Sequence, residues 1–349
     1  MEKGPADAAT VERMHAALRF SVGISMSFVV CEAMAWKPAY LTAILTGALL
    51  ANLPGRPPLK LGVVIVAAMT LSAALAWLLS TLLLDMPWVL FGAITLFLFI
   101  GFLALLTGGP AATLPATLLL VCLSTIPVVV LAYPSQAAAL PQALVRGMVL
   151  AMLSTWLVYA IWPRRMAPKP AAPPARNPAP VATALLATGI VVPIMLVFLL
   201  FVPAHALAVL INTVLMVATF DLQLSQRYAI RKIGANAVGG VIGLIAFWTL
   251  LIHPTLITLG LITFIVTFLI GLRVAEGGPS VPTLVFGMTA MLCIFGTLVT
   301  SGPGEPGIWV TRILYFSLAG AFAVGAMYLV WHWLEPRAAR RAATGAKTL

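Results

Sequence analysis

Residues 61–84, LGVVIVAAMTLSAALAWLLSTLLL, carry no charge, and runs of the same kind return along the whole chain. At about 1.5 Å per helical residue, runs of about 17 to 25 residues cross a hydrocarbon layer of about 30 Å. They are apolar on every face. A barrel strand would instead alternate in polarity over about ten residues. With 8% charged residues, against about 25% in an ordinary soluble domain, and a mean hydropathy of +1.09, the chain reads as an all-α integral membrane protein.

Turn signals between the apolar runs predict spans at 17–35, 39–53, 61–84, 88–107, 112–133 and 141–162. A second set follows at 181–202, 206–220, 233–252, 255–272, 281–300 and 308–334. The expectation is twelve transmembrane helices. Residues 1–15 lack the basic, apolar, small-residue order of a cleavable signal, so the first helix is expected to stay as an anchor. Residues 163–180, PRRMAPKPAAPPARNPAP, form an extended proline- and arginine-rich linker between units at 1–162 and 181–336, and 337–349 is a basic tail.

Placing both termini in the cytoplasm puts all but Lys37, Arg146 and Arg312 of the 20 lysines and arginines on the cytoplasmic side. That is the asymmetry that the positive-inside rule predicts. Basic loops beside anionic membrane lipid then account for the net charge of +11, so no nucleic acid is expected.

The two halves echo each other. KLG at 60–62 returns as KIG at 232–234, Gly-Gly-Pro at 108–110 returns at 277–279, and Pro38 matches Pro203. An even number of spans per half makes the repeats parallel, related by a pseudo-twofold axis along the membrane normal. The Gly-Gly-Pro motif has two open readings. It is a tight helix-to-helix turn, or Gly108, Gly109, Gly277 and Gly278 present two facing helix N-termini to an anion, with Pro115, Pro127 and Pro282 permitting local helix breaks.

A charge within a span costs about 2.5 to 3.5 kcal/mol at the bilayer centre, so those present call for a reason. Arg146 and Arg312 each lie a turn or more into the last helix of a half. Together they would grip a carboxylate substrate through paired N–H donors, or each would snorkel to headgroups. Glu32 is either a group that couples transport to protons or an interfacial partner of Lys37. Asp221 is the second candidate for proton coupling, and pairing with Arg227 or Arg231 is the alternative. Gly239 and Gly243, four apart in GANAVGGVIG, signal close helix packing. Cys31, Cys122 and Cys293 have no pair or metal spacing, and His15, His205, His253 and His332 are scattered, so neither cofactor nor metal is expected.

The segment ALRFSVG opening the first span, Pro38 starting the second, RYAIRKIGANAVGGVIG, and a last helix running from arginine to a proline exit carry a resemblance. The chain resembles the fusaric acid resistance and aromatic acid exporter family over nearly its whole length. That resemblance implies two six-helix units forming an inner-membrane exporter of organic anions, chiefly aromatic carboxylates. It also implies drive by the proton gradient and a periplasmic adaptor as partner. Many members carry a large soluble domain between the halves, where this chain has only residues 163–180, so it looks like a short branch. Two alternatives stay open, a passive anion channel and a non-transporting membrane assembly subunit, and a homo-oligomer is an open partner reading. No enzyme is expected, because no cluster of acid, base or metal ligands stands out.

Overall fold

Hydrocarbon offers a backbone no water, so a spanning segment must satisfy its own N–H and C=O groups, and a helix does so within one segment. The computed structural model describes residues 5–53, 55–134, 137–164, 179–201, 226–278 and 280–301, with Leu210, Ile211, Val214, Val217 and Gly325. Its elements are α1 (Pro5–Ala33), α2 (Tyr40–Asn52), α3 (Leu59–Leu82), α4 (Pro87–Thr107), α5 (Gly109–Ala132) and α6 (Ala139–Ile161). They continue as α7 (Pro180–Phe201), α8 (Gln226–Ile252), α9 (Leu256–Glu276) and α10 (Val281–Ser301). Among the described residues there is no strand, and nine helices are long and apolar enough to cross a membrane. The fold is that of a multi-pass helical membrane protein. The expected spans at 206–220 and 308–334 and the tail lie almost wholly outside the described residues, as does most of the linker.

Three expectations need correction. Helix α1 starts at Pro5 rather than near residue 17, because the charged stretch through Glu12 and Arg13 continues the same helix ahead of its apolar part. Pro115 and Pro127 lie inside an uninterrupted α5. Pro282 is the second residue of α10, where a missing N–H costs nothing, so it breaks no helix.

Helix α1 sits at the centre, packed against α2, α6 and α9. Gly271 of α9 lies on Ala17 and Phe20, and Gly260 lies on Val29, so these two helices run antiparallel. Helix α2 has 13 residues, most of them buried among α1, α6 and α10. Burial ranks the other helices in two matching series. The spanning windows of α5 and α10 are each 67% buried, those of α3 and α8 33% and 39%, and those of α4 and α9 28% and 22%. The least buried helices present bare aliphatic faces, and Trp88 in the first turn of α4 is 89% exposed.

Helices α8 and α10 run side by side in the same direction, and glycine makes this possible. Gly239 rests on the Gly287 carbonyl, a methyl on Gly243 would fall 2.7 Å from the Met291 oxygen, and one on Gly287 would fall 3.0 Å from the Ala235 oxygen. The small-residue spacing read in the sequence thus marks a backbone-to-backbone contact.

That contact yields a test. Gly239→Ala drives a methyl into the Gly287 carbonyl and should cost about 1 to 3 kcal/mol, the usual range for overpacking. In Gly234→Ala the methyl meets nothing within 4 Å. Thermal unfolding in detergent should show a lowered midpoint for the first and an unchanged or raised one for the second.

Candidate functional site

The contacts sort the charges by end of the bundle. Arg19, where the apolar part of α1 begins, reaches Trp162 at the end of α6, the Trp156 indole bonds Pro57 ahead of α3, and the end of α9 lies beside Ala17. Arg13, Arg19, Arg56, Lys60, Arg164 and Arg273 therefore share one end, and Lys37 and Arg146 occupy the other.

At the sparsely charged end the chain folds back over the last turn of α1. The N–H of Trp36 donates to the Cys31 carbonyl at 2.9 Å, that of Ala35 donates to Glu32 at 3.0 Å, and Ala35 takes a φ of 53°. This turn lays the Trp36 ring under Arg146, whose guanidinium carbon stands 5.9 Å from the ring centroid. Arg146 is exposed, and its Nη2 lies 3.4 Å from Gln142 Oε1 one turn earlier. Glu32 is half-buried, and its Oε1 is buried with no hydrogen-bond partner. Lys37 makes no ion-pair contact with Glu32 within 4 Å but stands near enough for its charge to act on the carboxyl; the salt bridges seen among the described residues join Arg19 to Glu12 and Arg273 to Glu276. Glu32 and Arg146, singled out separately in the sequence, are thus brought to one end of one helix cluster.

Below them runs a seam of small polar groups between α1, α2 and α6. The Cys31 thiol donates to Thr42 Oγ1 at 3.1 Å, and Thr46 Oγ1 lies 3.1 Å from Ser27 Oγ. Gly147 of α6 presses against Thr42, where a methyl would fall 2.9 Å from the hydroxyl oxygen. Val158, three turns along the same face, meets Gly23, which in turn touches Thr46. Ser154 lies between these contacts, and its Oγ is buried without a partner. Sequence reading missed this seam, although TAILTG at 42–47 and SMS at 25–27 place hydroxyls at helical spacing.

At the basic end the structure adds a cluster that the sequence reading counted only as loop charge. Arg19 is 5% exposed. Its Nη2 meets Glu12 Oε1 at 2.7 Å, its Nη1 donates to the Trp162 carbonyl at 2.9 Å, and its guanidinium lies 5.1 Å from the Tyr159 ring centroid. Glu12 and Arg19 stand two helical turns apart on one face, a spacing legible once the helix is known to extend that far. Nearby on α1, His15 Nδ1 is buried without a partner.

The Gly-Gly-Pro motifs are tight turns in both places. Gly108 alone separates α4 from α5, with its N–H donating to Ala104 at 2.8 Å, and Gly109 takes a φ of 69°. Gly277 caps α9 by donating to Val274 at 3.1 Å, and Gly277 and Gly278 take φ values of 75° and 101°. Glycine alone adopts these angles freely. The α4–α5 hairpin packs on α3 and α7, and the α9–α10 hairpin on α1, α2 and α8, without extensive contact between the two. Cys31, Cys122 and Cys293 are free and buried, as core packing requires. Asp221 and Arg312 lie outside the described residues.

Residues 16–158 match a family described as "Protein of unknown function (DUF2955)", a match that runs from α1 into α6 and covers under half of the chain. No curated protein and no solved structure matches the chain.

The Arg19–Glu12 pair makes a quantitative prediction. Removing one partner of a buried pair costs about 3 to 5 kcal/mol because the other charge is stranded. Arg19→Ala should therefore destabilise the detergent-solubilised protein more than the Arg19→Ala, Glu12→Ala double variant does, as read by thermal unfolding.

Proposed function

We propose that this chain is a secondary exporter of organic anions, chiefly aromatic carboxylates, in a bacterial inner membrane. It works on the proton gradient with a periplasmic adaptor, as a short branch of the fusaric acid resistance and aromatic acid exporter group. The observation that carries this reading is the buried, unpartnered carboxylate oxygen of Glu32 at the head of the α1–α2–α6 seam. A carboxylate in such a place is costly unless it is used, and inside membrane proteins such groups mark ion and proton pathways. Arg146, at the same end, supplies the opposite charge that an organic anion requires.

The two-repeat architecture of twelve helices draws support from packing. A twofold axis that maps α1 onto α7 also maps α4 onto α9. It therefore exchanges the α1–α9 contact with the α4–α7 contact and the α3–α5 pair with the α8–α10 pair. The burial of α5 and α10, of α3 and α8, and of α4 and α9 agrees pair by pair. By the sequence repeat Arg312 is the counterpart of Arg146 in the second half, and on this reading each supplies one positive charge to the anion. Charge asymmetry between the ends supports cytoplasmic termini. Asp221 is the second candidate for proton coupling in this reading, with pairing to Arg227 or Arg231 as the alternative.

In this mechanism, protonation of Glu32 from the periplasmic side removes a negative charge from the head of the seam. Hydroxyls of Thr42, Thr46 and Ser154 relay the proton inward, and Arg146 and Arg312 hold the departing carboxylate. Proteoliposomes loaded with labelled benzoate under a proton gradient test it. Glu32→Gln should lower gradient-driven efflux at least tenfold while leaving passive leak unchanged. Arg146→Ala and Arg312→Ala should each raise KM for benzoate about tenfold or more, the loss of one charge-assisted contact. Wild-type efflux that persists at full rate in a proton uncoupler would make the chain a passive anion channel. Absence of any protein-dependent flux would favour the assembly subunit.

A further inference from the structure

At the basic end, away from the seam, the loop ahead of α3 and the face of α6 enclose an open recess of about 400 Å³ lined by Arg56, Pro57, Pro58, Leu59 and Trp156. Its floor is fixed. The Trp156 indole N–H donates to the Pro57 carbonyl at 2.9 Å, and the ring lies flush on Gly62, where no side chain intervenes. Its rim is charged. Arg56 is exposed, no carboxylate pairs with it among the described residues, and exposed Lys60 follows within one helical turn.

The recess opens onto bare aliphatic surface. From its edge, Leu59, Val63 and Leu71 recur along one exposed face of α3, and exposed Leu157 flanks it on α6. From Leu59 to Leu71 this face extends about 18 Å at 1.5 Å per residue, comparable to one leaflet of a hydrocarbon core of about 30 Å. A ligand that fits must therefore be negative at one end and carry a long apolar body. A soluble aromatic carboxylate satisfies the guanidinium but leaves the stripe uncovered. A zwitterionic lipid covers the stripe but brings its own cation to the arginine. We propose that this recess is a specific site for one anionic phospholipid, its phosphate held by Arg56 with help from Lys60, its glycerol region over Trp156 and an acyl chain along α3.

Native mass spectrometry of the delipidated full chain, titrated with phosphatidylglycerol or phosphatidylcholine of equal chain length, provides the test. The expected result is one tightly retained phosphatidylglycerol per chain, with at least tenfold preference over phosphatidylcholine. Arg56→Ala should weaken that retention about tenfold, Arg56→Lys should largely preserve it, and Arg231→Ala, an exposed cation at the same end, should not change it. Equal retention by wild type and Arg56→Ala, or equal losses in Arg56→Ala and Arg231→Ala, would overturn the proposal. Displacement of the lipid by millimolar inorganic phosphate or benzoate would also overturn it, because the recess would then serve soluble anions. None of these readouts depends on transport.

Discussion

A hydroxyl or amide buried in hydrocarbon has only the chain itself to bond with, and that constraint organises this molecule. Most of the buried serines and threonines follow it by donating to the carbonyl one turn back. Ser21 bonds Ala17, Ser25 bonds Ser21, Ser80 bonds Ala76, Thr155 bonds Ala151, and Thr267 bonds Thr263. Polar residues are thereby carried into apolar helices at little cost. Against this background the unpartnered atoms of Glu32, Ser154 and His15 stand out. Two of the three belong to the cluster of α1, α2 and α6.

The same constraint separates two kinds of buried charge. Arg19 has its donors occupied by a carboxylate and a carbonyl, with an aromatic face beside it, and ties the start of α1 to the end of α6. It is a fastening at the basic end. Glu32 at the other end has no such shell. The same helix thus carries a satisfied ion pair in its first half and a carboxylate oxygen without a hydrogen-bond partner in its last turn.

The spans were legible because hydrophobic length is a one-dimensional property. Helices α2, α3, α4, α6 and α10 begin and end within about two residues of where apolar runs and turn residues placed them. Close approach at Gly239 and Gly243 was legible for the same reason, since spacing of four fixes a face. What escaped was whatever depends on helix extent beyond the apolar run or on the path of a turn. Arg19 counts in the sequence with the cytoplasmic charges at the opening of the first span, and its partner Glu12 lies beyond the apolar run that marks the helix. The Glu32–Lys37 pair looked plausible at a spacing of five. The backbone then turns through a positive φ at Ala35, which leaves the two without a direct ion-pair contact and lays Trp36 under Arg146. The seam escaped because its members come from three helices and meet only after packing.

Helix α2 carries a final consequence. Its 13 residues reach about 20 Å at 1.5 Å each, some 10 Å short of a typical hydrocarbon thickness. Enclosed by the longer α1, α6 and α10, so short a helix has its polar backbone ends held inside protein rather than against lipid, the one setting in which hydrocarbon depth tolerates them. The loop that joins it to α1, with Trp36 and the adjoining Glu32, is thereby drawn in against the ends of its neighbours instead of standing clear of them.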